Sequence, residues 1–121
     1  MGAHYTKIHC RRQHAIYGIL VLMRVKRTHE FEKWFDEQNV KEQAQVDARI
    51  QRIEEYDHFG DAKDLGEGLA ELRWANGRRV YFTRMFDANG SLVLLVLGGI
   101  KNGQKKDIKK ARLLVRKYAS A

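Results

Sequence analysis

The segment spanning residues 71–82 constrains the fold of this chain most, because it has the pattern of two β-strands joined by a tight turn. A two-residue turn at Asn76 and Gly77 would mix apolar and charged side chains on both faces. A three-residue loop over residues 75–77, with Gly77 left-handed, instead places Arg73 opposite Arg79. One face then gathers the apolar side chains Leu72, Trp74, Val80 and Phe82. Burial of one face strongly specifies register, so we predict the three-residue loop.

The predicted register gathers two arginines on the other face of the hairpin, beside Glu71 and Tyr81. Like charges directly opposite each other destabilise a strand pair unless an anion lies between them. Arginine binds phosphate through paired donors. The register therefore predicts a phosphate site at Arg73 and Arg79.

The composition limits the class of protein. The chain has 121 residues, which suits one domain, and its apolar content of 44% is typical of globular proteins. A single cysteine, Cys10, excludes an intrachain disulfide framework and a cysteine-built zinc site, and it indicates a reducing compartment. The apolar run at residues 16–23 is far shorter than the ~20 residues of a membrane span. We therefore expect a cytoplasmic protein without a membrane partner.

The net charge of +8 is distributed unevenly. Residues 1–29 carry a net charge of +6, residues 30–71 carry −8 and residues 72–121 carry +10. A clustered basic surface attracts nucleic acid and releases its counterions. A solvated basic surface would have the same composition, but the adjacent hairpin arginines favour contact with nucleic acid.

The hydropathy patterns predict an α+β single domain with the element order β-α-α-β-β-β-α. Residues 17–27 form an apolar, β-branched run that predicts a first strand. Two helices are expected next, as an antiparallel hairpin, the first capped by Thr28 and the second ending before Phe59. Residues 59–68 contain three glycines and are predicted to be a loop.

The C-terminal part of the chain predicts a buried strand followed by a basic helix. Residues 92–97 are continuously apolar, as in a central strand covered on both faces, and Gly98-Gly99 is expected to end it. Of the residues 101–117, eight are Lys or Arg. The apolar stripe of this last helix consists of Ile108, Ala111, Leu114, Val115 and Tyr118.

These segments, taken in order over residues 23–118, resemble the phage Gp49-like, HigB-type branch of the RelE/ParE toxins. The matching residues are Gly60-Asp61-Ala62-Lys63, Glu71-Leu72-Arg73, Arg79-Val80-Tyr81-Phe82, Gly98-Gly99-Ile100-Lys101, Gln104, Asp107-Ile108 and Ala111. The resemblance implies a RelE-like domain over residues 17–121, with a small, mainly antiparallel curved sheet, a two-helix hairpin and a basic C-terminal helix. Residues 1–16 are expected to be an N-terminal extension.

The resemblance also implies the toxin of a type II toxin–antitoxin system. Such a toxin is an endoribonuclease, or mRNA interferase, that acts on mRNA, commonly at the ribosome. A cognate antitoxin, expected to be a helix-turn-helix DNA-binding protein, holds it silent. The ribose 2′-OH attacks the adjacent phosphate, and neither a metal nor another cofactor is required. Two other functions remain open, a ParE-like inhibitor of DNA gyrase and a non-catalytic nucleic-acid-binding module.

Five residues are predicted to be catalytic. By the resemblance, Arg79 is assigned to the scissile phosphate, with Arg73 opposite it, and Lys101 to the phosphate or the leaving group. A salt bridge of Arg79 with Glu71, and a cross-strand salt bridge at Arg73, are the alternatives for the two arginines. Tyr81 would either orient the substrate or stack on a base, or it would pack within the sheet beneath a helix. His58 is a candidate base, because the ordinary histidine pKa of ~6.5 suits proton transfer, although a loop histidine is often only exposed.

Several further residues are predicted to bind RNA or to support the last helix. The predicted RNA contacts are Lys105, Lys106, Lys109, Lys110 and Arg78. Gln104 and Asp107 match the family pattern, but capping and dipole compensation of the last helix would explain them as well. Family members often carry Ser-Thr where this chain has Asn102-Gly103, so a hydroxyl group is missing there.

Overall fold

A computed structural model of the protein describes residues 23–120 with their side chains, and the backbone of residues 4–5, 14–16 and 19–21. The elements in chain order are β1 (His4–Tyr5), β2 (His14–Ile16), β3 (Ile19–Val21), β4 (Arg24–Arg27), α1 (His29–Asp36), α2 (Val40–Tyr56), β5 (Ala62–Gly66), β6 (Leu69–Arg73), β7 (Arg78–Asp87), β8 (Gly90–Ile100), a 3₁₀ turn (Lys101–Gly103) and α3 (Gln104–Ala119). The main sheet has the order β1-β4-β8-β7-β6-β5. The predicted α+β class is confirmed.

The first strand of the main sheet is shorter than predicted. Strand β4 covers only Arg24–Arg27 and pairs in parallel with β8, while β3 pairs with β2 in a separate two-stranded sheet. The prediction of one strand over residues 17–27 is therefore wrong, although residues 17, 18 and 22 lie outside the described residues. The physical reason is that Arg24 already pairs with Leu92, two residues after β8 begins at Gly90. A longer β4 would run past the end of its partner.

Helices α1 and α2 begin at side-chain caps. The Thr28 hydroxyl accepts a hydrogen bond from the Phe31 N–H and donates one to the Val96 carbonyl, so it joins α1 to β8. Asn39 and Glu42 form a reciprocal capping box at the start of α2. The helix boundaries at Thr28 and at residues 38–39 are as predicted.

An additional strand, β5, lies where a loop was predicted. Residues Ala62–Gly66 pair antiparallel with β6 at the edge of the sheet, so the prediction of a loop over residues 59–68 is wrong in its centre. Gly60, Gly66 and Gly68 have positive φ angles and form the turns around the strand. The strand is almost entirely exposed, and it therefore lacks the apolar alternation by which a strand is recognised.

Helices cover both faces of the sheet. On one face, α1 and α2 pack their apolar side chains against β6, β7 and β8, in a core that includes Phe31, Ile50, Leu72 and Val80. On the other face, the predicted stripe of α3 packs on the same strands, with Ala111 and Leu114 buried. Strand β8 is buried from Leu92 to Leu97, which confirms the prediction of a central strand covered on both sides.

None of the helices in the described part of the chain is long and apolar enough to cross a membrane.

Candidate functional site

The hairpin of β6 and β7 has the predicted register. Arg73 pairs with Arg79 across the two strands. The loop between them has three residues in addition to Trp74, whose N–H donates to the Arg78 carbonyl at 3.0 Å and whose carbonyl accepts from the Gly77 N–H at 3.0 Å. Gly77 has φ +97°, the left-handed conformation that the loop requires. The apolar and polar faces are therefore separated as predicted.

Beneath α3, two rows of paired residues cross the neighbouring strands β6, β7 and β8, and polar side chains occupy the β6 and β7 positions of both rows. In the first row Glu71 pairs with Tyr81, which pairs with Leu97; in the second, Arg73 pairs with Arg79, which pairs with Gly99. Neighbouring strands lie about 4.8 Å apart. The rows thus hold a carboxylate, a phenol and two guanidinium groups close together, and we call this set, with Gln104 and Asp107 of α3, the arginine cluster.

An anion does contact both arginines, and it belongs to the protein itself. The Glu71 carboxylate is fully buried and lies 3.6 Å from Arg73 Nε and 3.9 Å from Arg79 Nε. Gln104 Nε2 donates to both of its oxygens, at 2.8 and 3.0 Å. The anion beside these arginines is therefore a carboxylate, as in the alternative of a salt bridge with Glu71, and the phosphate stays a prediction. Gln104 does not cap α3 with its side chain but binds Glu71.

The two arginines differ in exposure. Arg79 is only 4% exposed, and its Nη1 donates to the carbonyls of Arg78 and Trp74 at 3.0 and 3.3 Å. Its Nε has no hydrogen-bond partner in the described part of the structure. The Arg73 side chain is 36% exposed. Of the pair, Arg73 is thus the one that solvent and a ligand can reach, and the assignment of Arg79 to the phosphate stays a prediction.

Tyr81 is fully buried beneath α3, so of its two predicted roles the structure supports packing within the sheet. Burial and the nearby charges of Glu71 and Asp107 raise the pKa of Tyr81, while Arg79 lowers it to a smaller extent. Its hydroxyl has no hydrogen-bond partner among the described residues. A base cannot stack on a ring that has no exposed face.

The paired glycines lie inside β8, which continues to Ile100, so the prediction that they end the strand is wrong. They are needed because each faces a large neighbour. A Cβ atom on Gly98 would collide with the Trp34 indole on the α1 face, and a Cβ atom on Gly99 would collide with the Asp107 carboxylate on the α3 face. The strand therefore allows two side chains to reach its backbone from opposite sides.

Asp107 is the half-buried acid of the arginine cluster. Burial raises the pKa of Asp107, and the charges of Lys110 and Lys106 oppose that effect. Within residues 23–120 its carboxylate accepts no hydrogen bond, so it does not cap α3, but it lies in the first turn, where its charge compensates the helix dipole as the alternative predicted. An acid whose pKa is raised by burial is typical of functional sites.

Lys101 and the four lysines predicted to contact RNA lie where β8 passes through the 3₁₀ turn into α3. The Lys101 N–H donates to the Gly77 carbonyl at 2.8 Å, which joins the start of the 3₁₀ turn to the tip of the β6–β7 hairpin. Its side chain is exposed. The four lysines at the start of α3 are exposed as well, and they are Lys105, Lys106, Lys109 and Lys110.

Two predicted site residues lie away from this cluster. Arg78 is 5% exposed on the α2 side of the hairpin, where Nη1 donates to Gln45 Oε1 and Nη2 lies 3.8 Å from Glu42 Oε2. His58 is exposed in the turn after α2 and precedes Phe59, which packs on the α2 side of the sheet. The structure therefore does not bring His58 together with Arg73 and Arg79.

The sequence interpretation underrated three residues. Glu71, Gln104 and Asp107 belong to the arginine cluster, although none of them was predicted to be catalytic or to bind RNA. A signal for Glu71 existed, because the predicted register already placed it on the arginine face.

Within the described part of the chain, no three His, Cys, Asp or Glu side chains converge as metal ligands would.

The protein is thus a small α+β domain whose arginine cluster is open to solvent at Arg73. An uncharacterized protein of Haemophilus influenzae is 40% identical over 95 residues, which cover 76% of this chain and 92% of that protein. The chain belongs to the same family as this Haemophilus protein. No family model matches the chain, and no solved structure matches it.

Proposed function

We propose that this protein is an endoribonuclease toxin of the RelE/ParE type, which cleaves mRNA and is held silent by a helix-turn-helix antitoxin. One observation carries the proposal: Arg73, Arg79 and the Asp107 carboxylate above Gly99 form one row across the sheet. The row is open to solvent at Arg73 and is bordered by exposed lysines. Cleavage of RNA by its own 2′-OH needs cations for the phosphate and a proton acceptor, and the row offers both.

In this proposal, Arg73 and Lys101 bind the scissile phosphate. The exposed part of the Arg73 guanidinium has paired donors for two phosphate oxygens, and it keeps its charge throughout the reaction. Lys101 lies beside the hairpin tip that follows Arg73, because its N–H binds the Gly77 carbonyl. Its ammonium group donates a proton to the leaving 5′ oxygen.

Asp107 is the proposed proton acceptor. The 2′ oxygen attacks phosphorus, its proton passes to the Asp107 carboxylate, and the bond from phosphorus to the 5′ oxygen breaks. The products are a 2′,3′-cyclic phosphate and a 5′ hydroxyl. A raised pKa makes Asp107 a better base than an ordinary aspartate, and its lack of hydrogen bonds in residues 23–120 leaves its oxygens available.

Arg79, Glu71 and Gln104 position the groups that touch RNA. Gln104 fixes the Glu71 carboxylate, and this carboxylate holds Arg73 from its buried side. Arg79 adds a permanent positive charge to the row, and its burial strengthens the electric field that this charge exerts on the phosphate. These three residues therefore act on the phosphate through Arg73 and through electrostatics.

The proposal is tested by induced expression in bacteria, followed by mapping of the 5′ ends of mRNA. The wild type should stop growth and produce new 5′-hydroxyl ends, and Arg73→Ala and Asp107→Asn should abolish both effects. Lys33→Ala is the matched control, because it removes an exposed cation from α1, outside the cluster. Circular dichroism verifies that each variant is folded.

Other outcomes would replace the proposal. Growth arrest with intact mRNA and a DNA-damage response would indicate inhibition of gyrase. Binding of RNA without toxicity or cleavage would indicate a non-catalytic nucleic-acid-binding module.

A further inference from the structure

A cleft of about 450 Å³ lies on the opposite side of the β6–β7 hairpin, between its tip and α2. Its lining residues are Gln45, Ala48, Arg49, Arg52, Trp74, Ala75 and Asn76. None of these described lining residues is acidic, although most of the acidic charge of the chain lies in residues 30–71. The size is within the range of small-molecule sites.

One wall of the cleft is a stack of a guanidinium on an aromatic ring. The Arg49 guanidinium lies 4.3 Å from the centroid of the Trp74 ring. Three carbonyls hold it, because Nη1 donates to Arg73 O and Nη2 donates to Phe59 O and Asp61 O. The wall is therefore rigid, flat and positively charged, which is what stacking of a nucleobase requires.

The polar groups of the cleft are hydrogen-bond donors. The side-chain carbonyl of Gln45 accepts from Arg78 Nη1 at 3.1 Å, and that of Asn76 accepts from the Arg78 backbone N–H at 3.0 Å. The NH₂ groups of both amides have no partner in the described part of the chain. With the exposed Arg52, the cleft thus presents donors to a ligand that must supply acceptors.

Arg49 connects this cleft to the arginine cluster. Its Nη1 binds the backbone carbonyl of Arg73, whose side chain lies on the other face of the same strand. A strand of RNA that crosses the hairpin tip can therefore place a phosphate at Arg73 and a base in the cleft. Burial lowers the pKa of Arg49, the charge of Asp61 opposes this effect and the charge of Arg52 adds to it.

We infer that the cleft binds the guanine base of an unpaired nucleotide next to the cleavage position. Guanine presents two acceptors, O6 and N7, on one edge, whereas adenine replaces the first with a donor. The guanidinium group of arginine and the NH₂ groups of the two amides can donate hydrogen bonds to these two acceptors. This inference rests on the proposed function, which it extends to the choice of sequence.

The first test is nuclear magnetic resonance of the full chain with 5′-GMP, 5′-AMP and inorganic phosphate as probes. We expect 5′-GMP to shift the signals of the Gln45 and Asn76 side-chain amides and of the Trp74 indole N–H. The shifts should require at least about fivefold more 5′-AMP, since one good base contact discriminates by that factor or more. Equal effects of the two nucleotides, or of phosphate alone, would overturn the inference.

The second test uses single-stranded uridine oligonucleotides with and without one guanine. Arg52→Gln should remove the preference for the guanine oligonucleotide, whereas Lys33→Gln, which removes one exposed cation from α1, should retain it. A preference that survives Arg52→Gln contradicts the inference.

The two proposals fail in different ways. Preference for guanine without any RNA cleavage would refute the ribonuclease but support the cleft. Cleavage that stops in Arg73→Ala, with the same cut sites in Arg52→Gln as in the wild type, would support the ribonuclease and refute the cleft.

Discussion

The Asp107 carboxylate occupies the space that a side chain on Gly99 would need. One residue earlier, the Trp34 indole stands in the same relation to Gly98. A flexible carboxylate can move away, but a ring packed against the core formed with α1 and α2 cannot. The two glycines are therefore needed for different reasons, Gly98 for stability and Gly99 for the position of an acid.

Alanine substitutions separate these two reasons. We expect Gly98→Ala to destabilise the protein by about 1–3 kcal/mol, the usual cost of an overpacked core. Gly99→Ala should cost less stability but displace Asp107 and lower the rate of RNA cleavage. Urea denaturation and a cleavage assay measure both. If Gly99→Ala proves the more destabilising variant, the assignment is incorrect.

Removal of Arg79 should be far more damaging to the fold than removal of Arg73. Arg79→Ala leaves the buried Glu71 without one of its cations, and loss of one partner of a buried ion pair costs about 3–5 kcal/mol. Arg73 is partly exposed, so Arg73→Ala should cost about 1 kcal/mol or less. Thermal denaturation gives the comparison. Glu71→Gln added to Arg79→Ala should restore part of the loss, because the uncompensated charge is then absent.

Glu54 should make the protein less stable as the pH rises. Burial raises the pKa of Glu54 from 4.5 to about 8, with Arg27 opposing and Glu55 and Asp47 adding to the effect. Between these two values the folded state keeps a proton that the unfolded chain has released. The free energy of unfolding therefore falls with rising pH in this window, by at most about 1.4 kcal/mol per pH unit. Glu54→Gln should remove the decline, which urea titrations at pH 5, 6.5 and 8 would detect.

Asp87 should act in the opposite direction at acidic pH. Hydrogen bonds from Arg24, at 2.6 and 2.9 Å, hold the pKa of Asp87 well below its usual range. Its contribution to stability is present above the unfolded value of 3.8 and is lost as the pH falls through the lower, folded value. Asp87→Asn should make the acidic limb of the stability profile shallower. An unchanged acidic limb would contradict this assignment.

The four exposed lysines of α3 should determine how RNA binding depends on salt. Replacing Lys105, Lys106, Lys109 and Lys110 with Gln should weaken binding and reduce the slope of log K against log salt, by at most about 0.7 per lysine for a single strand. Fluorescence anisotropy at several salt concentrations measures the slope. Lys33→Gln with Lys41→Gln is the control on the helices of the other face. A slope that does not change shows that these lysines are only solvated.

The register of the β6–β7 hairpin was predictable from the sequence because a single pattern, the apolar face with Leu72 and Val80, excluded the other turn. The stripe of α3 was predictable for the same reason. Strand β5 was not, since an exposed edge strand is held by backbone hydrogen bonds to β6 and has no apolar period.

The burial of the arginine cluster could not be predicted from local patterns. Arg79 becomes inaccessible because α3, more than twenty residues later, lies over its strand and brings Gln104 to Glu71. The close packing of the Trp34 indole on Gly98 likewise joins two residues that are far apart in sequence. Such contacts depend on the packing of whole elements, whereas local patterns describe only each element by itself.

The parallel pairing of β4 with β8 has a consequence for the order of folding. Residues 24–27 find their partner only in residues 92–95, and the core beneath α1 and α2 also needs side chains from β8. Contacts of such long sequence separation form late, because a long loop must close before they are made. During synthesis, the apolar faces of the first two helices thus stay uncovered until β8 has left the ribosome. The protein therefore gains its fold only after residues 90–100 have been added to the chain.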